Sequence, residues 1–220
     1  VYAMNRFVDE RGRIDFDALA ADRGGLDELV AWVARVSPAT SPELFPRRAD
    51  VLAYHLNAYN ALAMRAVLDG GVVDGFAGFF KRQRFFRLRK VTVGGRSMSL
   101  ASYENGVIRP LGEPRVHFAL NCMARSCPRL PQAPFRADEL EAQLETAARE
   151  FVNDPRNVRV DAAAREAWLS SIFGFYTEDF APDGTHASLL DYVNRYRNEP
   201  LDRTFAVKFI PYDWSLNRQP

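Results

Sequence analysis

The chain has 220 residues, of which 47% are hydrophobic and 26% are charged, and this ordinary globular composition excludes overall disorder. Its 29 basic and 28 acidic residues leave a net charge of +1, so no global field favours nucleic acid or an anionic membrane. Two cysteines are too few for a disulfide scaffold, and no apolar run reaches the length of a transmembrane helix.

The N-terminal third is predicted to be helical. Asp15 to Val36 carries apolar residues at helical spacing, although a pair of glycines weakens its first half. Pro42 and Pro46 mark helix starts. Asp50 to Asp69 has the stronger apolar stripe, and the Gly-Gly pair at 70–71 should end that helix.

The next segment is rich in aromatic and basic residues. We predict a loop over Gly75 to Arg84, followed by β structure from Phe86 to Val93. The Gly-Gly pair at 94–95 predicts a tight hairpin, with Ser97 to Leu100 as the returning strand. Ala101 to Arg109 fits a short helix.

The remaining elements mix strands and helices. In chain order they are a strand over Arg115 to Leu120, a loop over Asn121 to Phe135, a helix over Asp138 to Val152, strands over 158–160 and 167–169, helices over 171–180 and 188–197, and a strand over 205–211. Because strands do not alternate regularly with helices, we predict an α+β fold. The whole chain, 1–220, is expected to form one domain with helices packed on a small, mostly antiparallel sheet.

The strongest chemical signal lies where the predicted strand meets the predicted loop. This segment carries His117 and both cysteines, Cys122 and Cys127. Imidazole is the usual base that withdraws the proton of a catalytic thiol. Such a pair normally has a third group that orients the imidazole. Glu104 is one candidate, and Asn121 could serve instead or donate to an oxyanion.

Other interpretations of these residues stay open. Cys122 and Cys127 could form a small-loop disulfide in an exported protein or be ordinary buried thiols, and His117 could be a structural histidine. Zinc could bind these three side chains with Glu104 or water as the fourth ligand, but their spacing matches no standard zinc motif. Because the sequence has no dinucleotide, P-loop or metal motif, we predict no cofactor.

A second polar group lies on the predicted helix over 50–69. Asn57 and Asn60 are three residues apart on one flank, with Tyr59 between them. Buried amides are costly when unpaired, so these side chains should either line a pocket or bind neighbouring backbone. We favour the structural role, because most buried polar groups serve structure.

A basic stretch, Lys81 to Lys90, has six positive charges interleaved with aromatic residues, a pattern that could bind RNA or lipid phosphates. Strand alternation explains it more simply, with Phe86 and Leu88 inward and Arg87 and Arg89 outward. Since the net charge is near zero, we predict no nucleic-acid partner.

Several motifs carry a family resemblance. They are Asn57 to Ala61; Val93 to Leu100 followed by Glu104 to Arg109; His117 to Cys122 with Ser126 to Pro128; Phe151 to Arg156; Leu169 to Phe180; and Tyr212 to Asn217. On these motifs the sequence resembles the domain of unknown function 547 family. Glu104, His117, Asn121 and both cysteines stand where the family pattern has them. His55 replaces a large apolar residue and Asn105 a common histidine, which argues against a catalytic role for either.

The resemblance also implies a setting. Bacterial members look exported, so we expect a periplasmic or extracellular location, with the export signal missing from a chain that starts at Val1 without an initiator Met. A cytoplasmic location is the alternative. Plant relatives attach a similar domain to a coiled coil, which implies a protein partner.

Fold-level similarity to papain-like or transglutaminase-like cysteine hydrolases completes the prediction. We expect a cysteine-dependent hydrolase or acyltransferase acting on an amide, ester or thioester of an unknown peptide, protein or small acyl compound. Cys127 is slightly preferred to Cys122 as the nucleophile, with His117 as base, Glu104 as orienting group, and Asn121 or a loop backbone N–H at the oxyanion. The alternative is a non-catalytic binding module with a structural disulfide between the cysteines.

Overall fold

Helices carry most of the regular structure in the computed structural model, which describes residues 6–71, 75–76 and 78–220. Within these residues five short strands form two separate sheets. This arrangement confirms the predicted α+β class. No helix in the same ranges is long and apolar enough to cross a membrane.

The helices are short apart from three of them. They are α1 (Phe16–Ala21), α2 (Gly24–Arg35), α3 (Arg48–Gly70), α4 (Phe79–Gln83), α5 (Leu100–Tyr103), α6 (Leu140–Asn153), α7 (Ser171–Phe175), α8 (Thr177–Phe180) and α9 (His186–Asn194). Short 3₁₀ segments span Pro42–Leu44, Arg109–Leu111 and Pro114–Phe118, and π-helical turns span Arg84–Leu88 and Glu104–Ile108. The single helix predicted over 15–36 is therefore divided into α1 and α2.

The strands are β1 (Lys90–Val93), β2 (Arg96–Ser99), β3 (Val158–Asp161), β4 (Glu166–Ser170) and β5 (Ala206–Ile210). β1 and β2 form the predicted antiparallel hairpin, and Gly94 turns it with φ of 53°. A Cβ at Gly94 would lie 2.1 Å from Oγ of Ser37, so the turn needs glycine for both conformation and space. In the second sheet β3 and β4 are antiparallel, whereas β5 pairs parallel to β4.

Helix α3 is the central element of the fold. Its N-terminus is capped by Asp50, whose carboxylate accepts the backbone N–H of Arg47 at 2.9 Å. Gly71 ends it in the left-handed conformation, with φ of 57°, as the Gly-Gly pair predicts. Buried residues occur all around α3, so it is a core helix and not a surface helix with one apolar stripe.

Two apolar clusters make up the core. The first contains α3 with the N-terminal helices, the β1–β2 hairpin and loop residues such as Leu120 and Met123. The second contains parts of α6 to α9 and of the three-stranded sheet, together with Phe118. Phe118, immediately after His117, therefore packs in the second cluster although Val116 and Ala119 on either side of it belong to the first, and Tyr212 packs against both clusters.

The strand predicted over Arg115 to Leu120 is wrong. Pro114 stands in the first turn of a 3₁₀ helix, and the carboxylate of Glu113 accepts the N–H of Arg115 at 3.1 Å to cap it. Val116, His117 and Phe118 are all buried, so the alternation in the sequence does not mark two faces of a strand. Burial between the two clusters overrides the period of two.

The prediction for the basic stretch is also partly wrong. Residues predicted as loop and strand form α4 and the π-helical turn, which the N–H of Arg89 closes on the carbonyl of Arg84 at 2.8 Å. Straight-chain Lys, Arg and Gln favour a helix here. Leu88, expected to point inward, is 68% exposed, whereas Phe85 is buried. Residue 77 of the predicted loop lies outside the described part of the chain.

A buried histidine on α3 gives a pH-dependent prediction. His55 is 6% exposed, its Nδ1 lies 2.7 Å from the hydroxyl of Tyr103, and burial lowers its pKa from 6.5 to about 4. The unfolded chain takes up this proton below pH 6.5, whereas the folded chain resists it, so stability falls as the pH drops from 6.5 towards 4.

We therefore expect His55→Gln to remove part of the acid sensitivity. Between pH 7 and pH 4 the wild type should lose about 3 kcal/mol of unfolding free energy more than the variant does. Urea titrations of both proteins across this range measure the difference. The same substitution at exposed His186 is the control and should change nothing. Parallel curves for His55→Gln and wild type would contradict the assignment.

Candidate active site

A cleft of about 260 Å³ is lined by residues of both apolar clusters, among them Leu120 of the first and Ile172 of the second. It brings together the residue types that the sequence singles out. Its polar lining includes Tyr59, Glu104, Asn105, His117, Cys122, Cys127, Tyr176 and Tyr212. The cleft is therefore the candidate functional site.

His117 is held from two sides. Its Nε2 lies 2.7 Å from Oδ2 of Asp179, and its ring stacks on Tyr176 at 3.9 Å between centroids. Asp179 is fixed in turn by Arg109, whose Nε and Nη2 donate to the carboxylate at 2.7 and 2.9 Å. The imidazole therefore has a defined orientation before anything binds.

The environment sets the protonation of this pair. Burial lowers the pKa of His117, and the hydrogen bond with Asp179 only partly offsets it. Burial acts to raise the pKa of Asp179, but hydrogen bonds from Arg109 and His117 hold it below its ordinary value. At neutral pH the carboxylate is charged and the ring neutral. Nε2 then carries the hydrogen that Asp179 accepts, which leaves the lone pair on Nδ1.

Glu104 does not hydrogen-bond to the imidazole. Its two oxygens accept hydrogen bonds from the hydroxyls of Tyr59 at 2.9 Å and Tyr176 at 2.5 Å. The carboxylate bonded to His117 is therefore Asp179 and not Glu104, the candidate from the sequence. Glu104 acts through Tyr176, because it fixes the ring on which His117 stacks.

The two cysteines are free thiols in contact. Their Sγ atoms lie 2.9 Å apart, and Sγ of Cys127 also receives the backbone N–H of Cys122 at 3.1 Å and the hydroxyl of Tyr212 at 3.2 Å. Burial acts to raise the pKa of Cys127, but the thiol of Cys122 and the Tyr212 hydroxyl bring it below its ordinary value. The same hydrogen bond, with burial, raises the pKa of Cys122. Cys127 therefore has the sulfur that is better supplied with hydrogen-bond donors for a thiolate, since the Tyr212 hydroxyl lies 3.7 Å from Sγ of Cys122.

Asn121 holds the cysteine loop from inside and is not among the residues that line the cleft. Its Nδ2 donates to the carbonyl of Pro128 at 2.7 Å, and its Oδ1 accepts the N–H of Met123 at 2.8 Å. Met123 has φ of 71°, so the loop makes a tight left-handed turn at this point. These bonds give Asn121 a structural role, and the oxyanion role expected for it stays a prediction.

Most backbone N–H groups of the cysteine loop are already used within the protein. The N–H groups of 121–123 and 125–127 donate to protein oxygens or, at Cys122, to Sγ of Cys127. An oxyanion donor among these groups must therefore be one that is released during the reaction.

The two asparagines on α3 bind loop backbone. Asn60 donates to the carbonyl of Ala119 at 3.0 Å and accepts the N–H of Asn121 at 2.8 Å. Asn57 makes the equivalent pair of bonds with the N–H and carbonyl of Phe135, at 2.9 and 2.8 Å. Each side chain acts like a short stretch of partner strand, so α3 fixes both ends of the loop that carries the cysteines.

His117 and the two thiols line the same cleft without a direct hydrogen bond between them. His117, Cys122 and Cys127 all face the cleft, but the hydrogen bonds of His117 do not include a sulfur. Catalytic hydrogen bonds are commonly long in free enzymes and tighten when substrate binds. Among the described residues, no three His, Cys, Asp or Glu side chains are grouped as metal ligands, so the geometry does not support the zinc alternative.

Spacing alone misses four residues of the site. Asp179, Arg109, Tyr176 and Tyr212 come from separate parts of the chain, and no local pattern links them to His117. Their signal is in the family motifs, since Leu169 to Phe180 and Tyr212 to Asn217 belong to the resemblance. Those motifs identify positions, whereas the contacts with His117 and the cysteines come from the fold.

Comparison with known protein families supports the resemblance. Residues 45–152 match the family described as "Protein of unknown function, DUF547", so the chain contains a domain of this family. Comparisons with curated proteins and with solved structures each found no significant match. The matched region contains Glu104, His117 and the cysteines, whereas Asp179, Tyr176 and Tyr212 lie beyond it.

Proposed function

We propose that the protein is a cysteine-dependent hydrolase or acyltransferase acting on an amide, ester or thioester. Cys127 is the nucleophile, His117 the general base and Asp179 the residue that positions the imidazole. The observation that carries this proposal is the bond between Nε2 of His117 and Asp179 in the cleft that both thiols line. It leaves a neutral imidazole with its basic nitrogen unprotonated at neutral pH.

The chemistry follows from these positions. The proton of the cysteine pair passes to Nδ1 of His117, and Sγ of Cys127 attacks the carbonyl carbon. A carbon–sulfur bond forms, the carbonyl electrons move onto oxygen, and their return breaks the bond to the leaving group, which takes the proton from His117. Water, or an acceptor nucleophile in a transferase, then attacks the thioester and restores the thiol.

We assign the oxyanion donors to groups that donate to the nucleophilic sulfur in the free protein. The hydroxyl of Tyr212 and the N–H of Cys122 both donate to Sγ of Cys127. Once that sulfur is bonded to carbon it is a weak acceptor, so the two donors are released beside the new oxyanion. Negative charge moves from sulfur to oxygen within reach of the same groups.

Alkylation by iodoacetamide tests the thiol and its base together. We expect the rate to follow an apparent pKa below the ordinary value of about 8.5, and His117→Ala to raise that pKa. A rise of about one unit lowers the rate at pH 7 roughly tenfold. His186→Ala, which changes an exposed histidine, should leave the profile unchanged. Identical rate–pH profiles for His117→Ala and wild type would contradict the assignment of His117 as the general base.

One observation favours the second candidate, a binding module without catalysis. The sulfurs of Cys122 and Cys127 are already 2.9 Å apart, so oxidation would join them with little movement of the loop. The exported location that the family resemblance implies would favour this disulfide. Titration of fresh native protein with a chromogenic disulfide decides between the two: two reactive thiols support the hydrolase, and none supports the binding module.

A further inference from the structure

One wall of the cleft carries positive charge that the proposed chemistry does not use. Arg82 and Arg87, on α4 and the π-helical turn, line the cleft together with Phe86. Arg87 is exposed and Arg82 half-buried. Among the described residues no carboxylate forms an ion pair with either guanidinium, whereas Arg109 is held by both Glu178 and Asp179.

The guanidinium of Arg82 has a fixed position without a counter-ion. It lies 5.0 Å from the ring centroid of Trp214, and its Nη1 donates to the carbonyl of Phe76 at 3.2 Å. These contacts hold the charge at the cleft and leave donors of the fork for another acceptor. A guanidinium placed in this way suits a carboxylate, sulfonate or phosphate.

Aromatic rings continue this wall. Trp214 packs with Tyr212 at 4.4 Å, with Phe86 at 6.1 Å and with Phe175 at 6.3 Å between centroids, the last pair stacked. Phe175 is nevertheless 53% exposed, an unusual position for a phenylalanine that already belongs to an aromatic cluster. These rings border the cleft and offer flat apolar surface beside the arginines.

The carboxylates of the site make their hydrogen bonds with groups other than Arg82 and Arg87. The oxygens of Glu104 each accept a tyrosine hydroxyl, and Asp179 is engaged by Arg109 and His117. We propose that the substrate is an acyl compound with an anionic group held by Arg82 and Arg87 and a flat apolar body against Phe175 and Trp214. This inference rests on the proposed function, because it assigns the substrate class of the same cleft.

Two alkylating reagents of equal reach test the charge preference. Iodoacetate is anionic and iodoacetamide neutral, so the ratio of their rates reports the potential at the thiol. Relative to the ratio for N-acetylcysteine amide, we expect the protein to favour iodoacetate at least fivefold, and less so as salt rises. Arg82→Gln/Arg87→Gln should bring the ratio back to that of the small thiol. Arg84→Gln, in the same π-helical turn as Arg87 but outside the cleft, should keep it.

Binding of 2-naphthoate and of neutral 2-naphthamide, measured by calorimetry, makes the test independent of thiol reactivity. We expect naphthoate to bind at least fivefold more tightly, and this preference to vanish in Arg82→Gln/Arg87→Gln but not in Arg84→Gln. Equal binding of the two probes, or binding of neither, overturns the inference. Absence of alkylation by both reagents, with naphthoate still preferred, would instead overturn the proposed hydrolase and keep the anion site.

Discussion

Replacing Asn60 by alanine is expected to lower the free energy of unfolding by about 2–5 kcal/mol. Asn60 is 5% exposed and satisfies two buried backbone groups, the carbonyl of Ala119 and the N–H of Asn121. Alanine removes the amide that bonds both of these backbone groups. Because the site is buried, water cannot easily reach the two groups to replace the lost hydrogen bonds. The loss should appear as a lower midpoint in urea with an unchanged slope.

The matched control for this prediction is Asn105→Ala. Asn105 is exposed, its Nδ2 donates to the carbonyl of Ala101 one helical turn earlier, and its Oδ1 accepts a hydrogen bond from Nη1 of Arg109 at the surface. We expect this change to stay within about 0.5 kcal/mol. If Asn60→Ala is equally mild, the cysteine loop does not depend on α3 for its position, and the structural role of the amide is wrong.

The fold could be predicted best where local chemistry and burial agree. The helix over 50–69 has a continuous apolar pattern and a terminal Gly-Gly pair, and the structure has α3 at Arg48–Gly70. The hairpin at Gly94 likewise follows from a glycine pair between β-favouring residues. The pairing of β3 with β4 is also as predicted, but the parallel addition of β5 depends on a long connection that no local pattern reports.

The errors have a common cause. Around His117 and around Leu88 a short alternation of apolar and polar residues predicts a strand. The backbone forms helical turns instead, because a proline stands at 114 and straight-chain residues stand at 81–84. Two alternations are too few to define a strand, because a buried 3₁₀ or π-helical turn can have the same short pattern of apolar and polar residues. Burial on every side then hides the pattern altogether.

The candidate site could be predicted in its residue types but not in its pairing. His117 and the two cysteines are adjacent in sequence and line one cleft. The carboxylate nearest in sequence, Glu104, is not the one that binds the imidazole, because α8 brings Asp179 to that nitrogen from 62 residues away. Sequence distance favours the wrong carboxylate, and only the packing of the second core cluster selects the right one.

The salt bridge between Arg109 and Asp179 helps to place this carboxylate beside His117. Arg109 follows the π-helical turn that carries Glu104, and Asp179 and Glu178 belong to α8 in the second half of the chain. The guanidinium also lies 5.2 Å from the ring of Tyr176, on which His117 stacks. Arg109 therefore connects the family-matched segment, residues 45–152, to α8 beyond it through ion pairs beside the imidazole.

We expect Asp179→Ala to slow alkylation of Cys127 by iodoacetamide at pH 7 about as much as His117→Ala does, at least tenfold. Without the carboxylate, the ring loses its fixed orientation and the tautomer that keeps Nδ1 basic. The pKa of His117 also falls further, because the hydrogen bond that His117 donates to Asp179 partly offsets the effect of burial. The apparent pKa of the rate–pH profile should rise for both variants, and a general loss of stability would not produce this change.

The double variant decides whether the two residues act as one unit. If Asp179 works only through His117, Asp179→Ala/His117→Ala should be no slower than His117→Ala alone, since there is no ring left to position. Glu178→Ala is the matched control, because Glu178 binds the same Arg109 but is exposed and does not touch the imidazole. Multiplying effects in the double variant would mean that Asp179 influences the thiol by a separate route, and the triad would have to be abandoned.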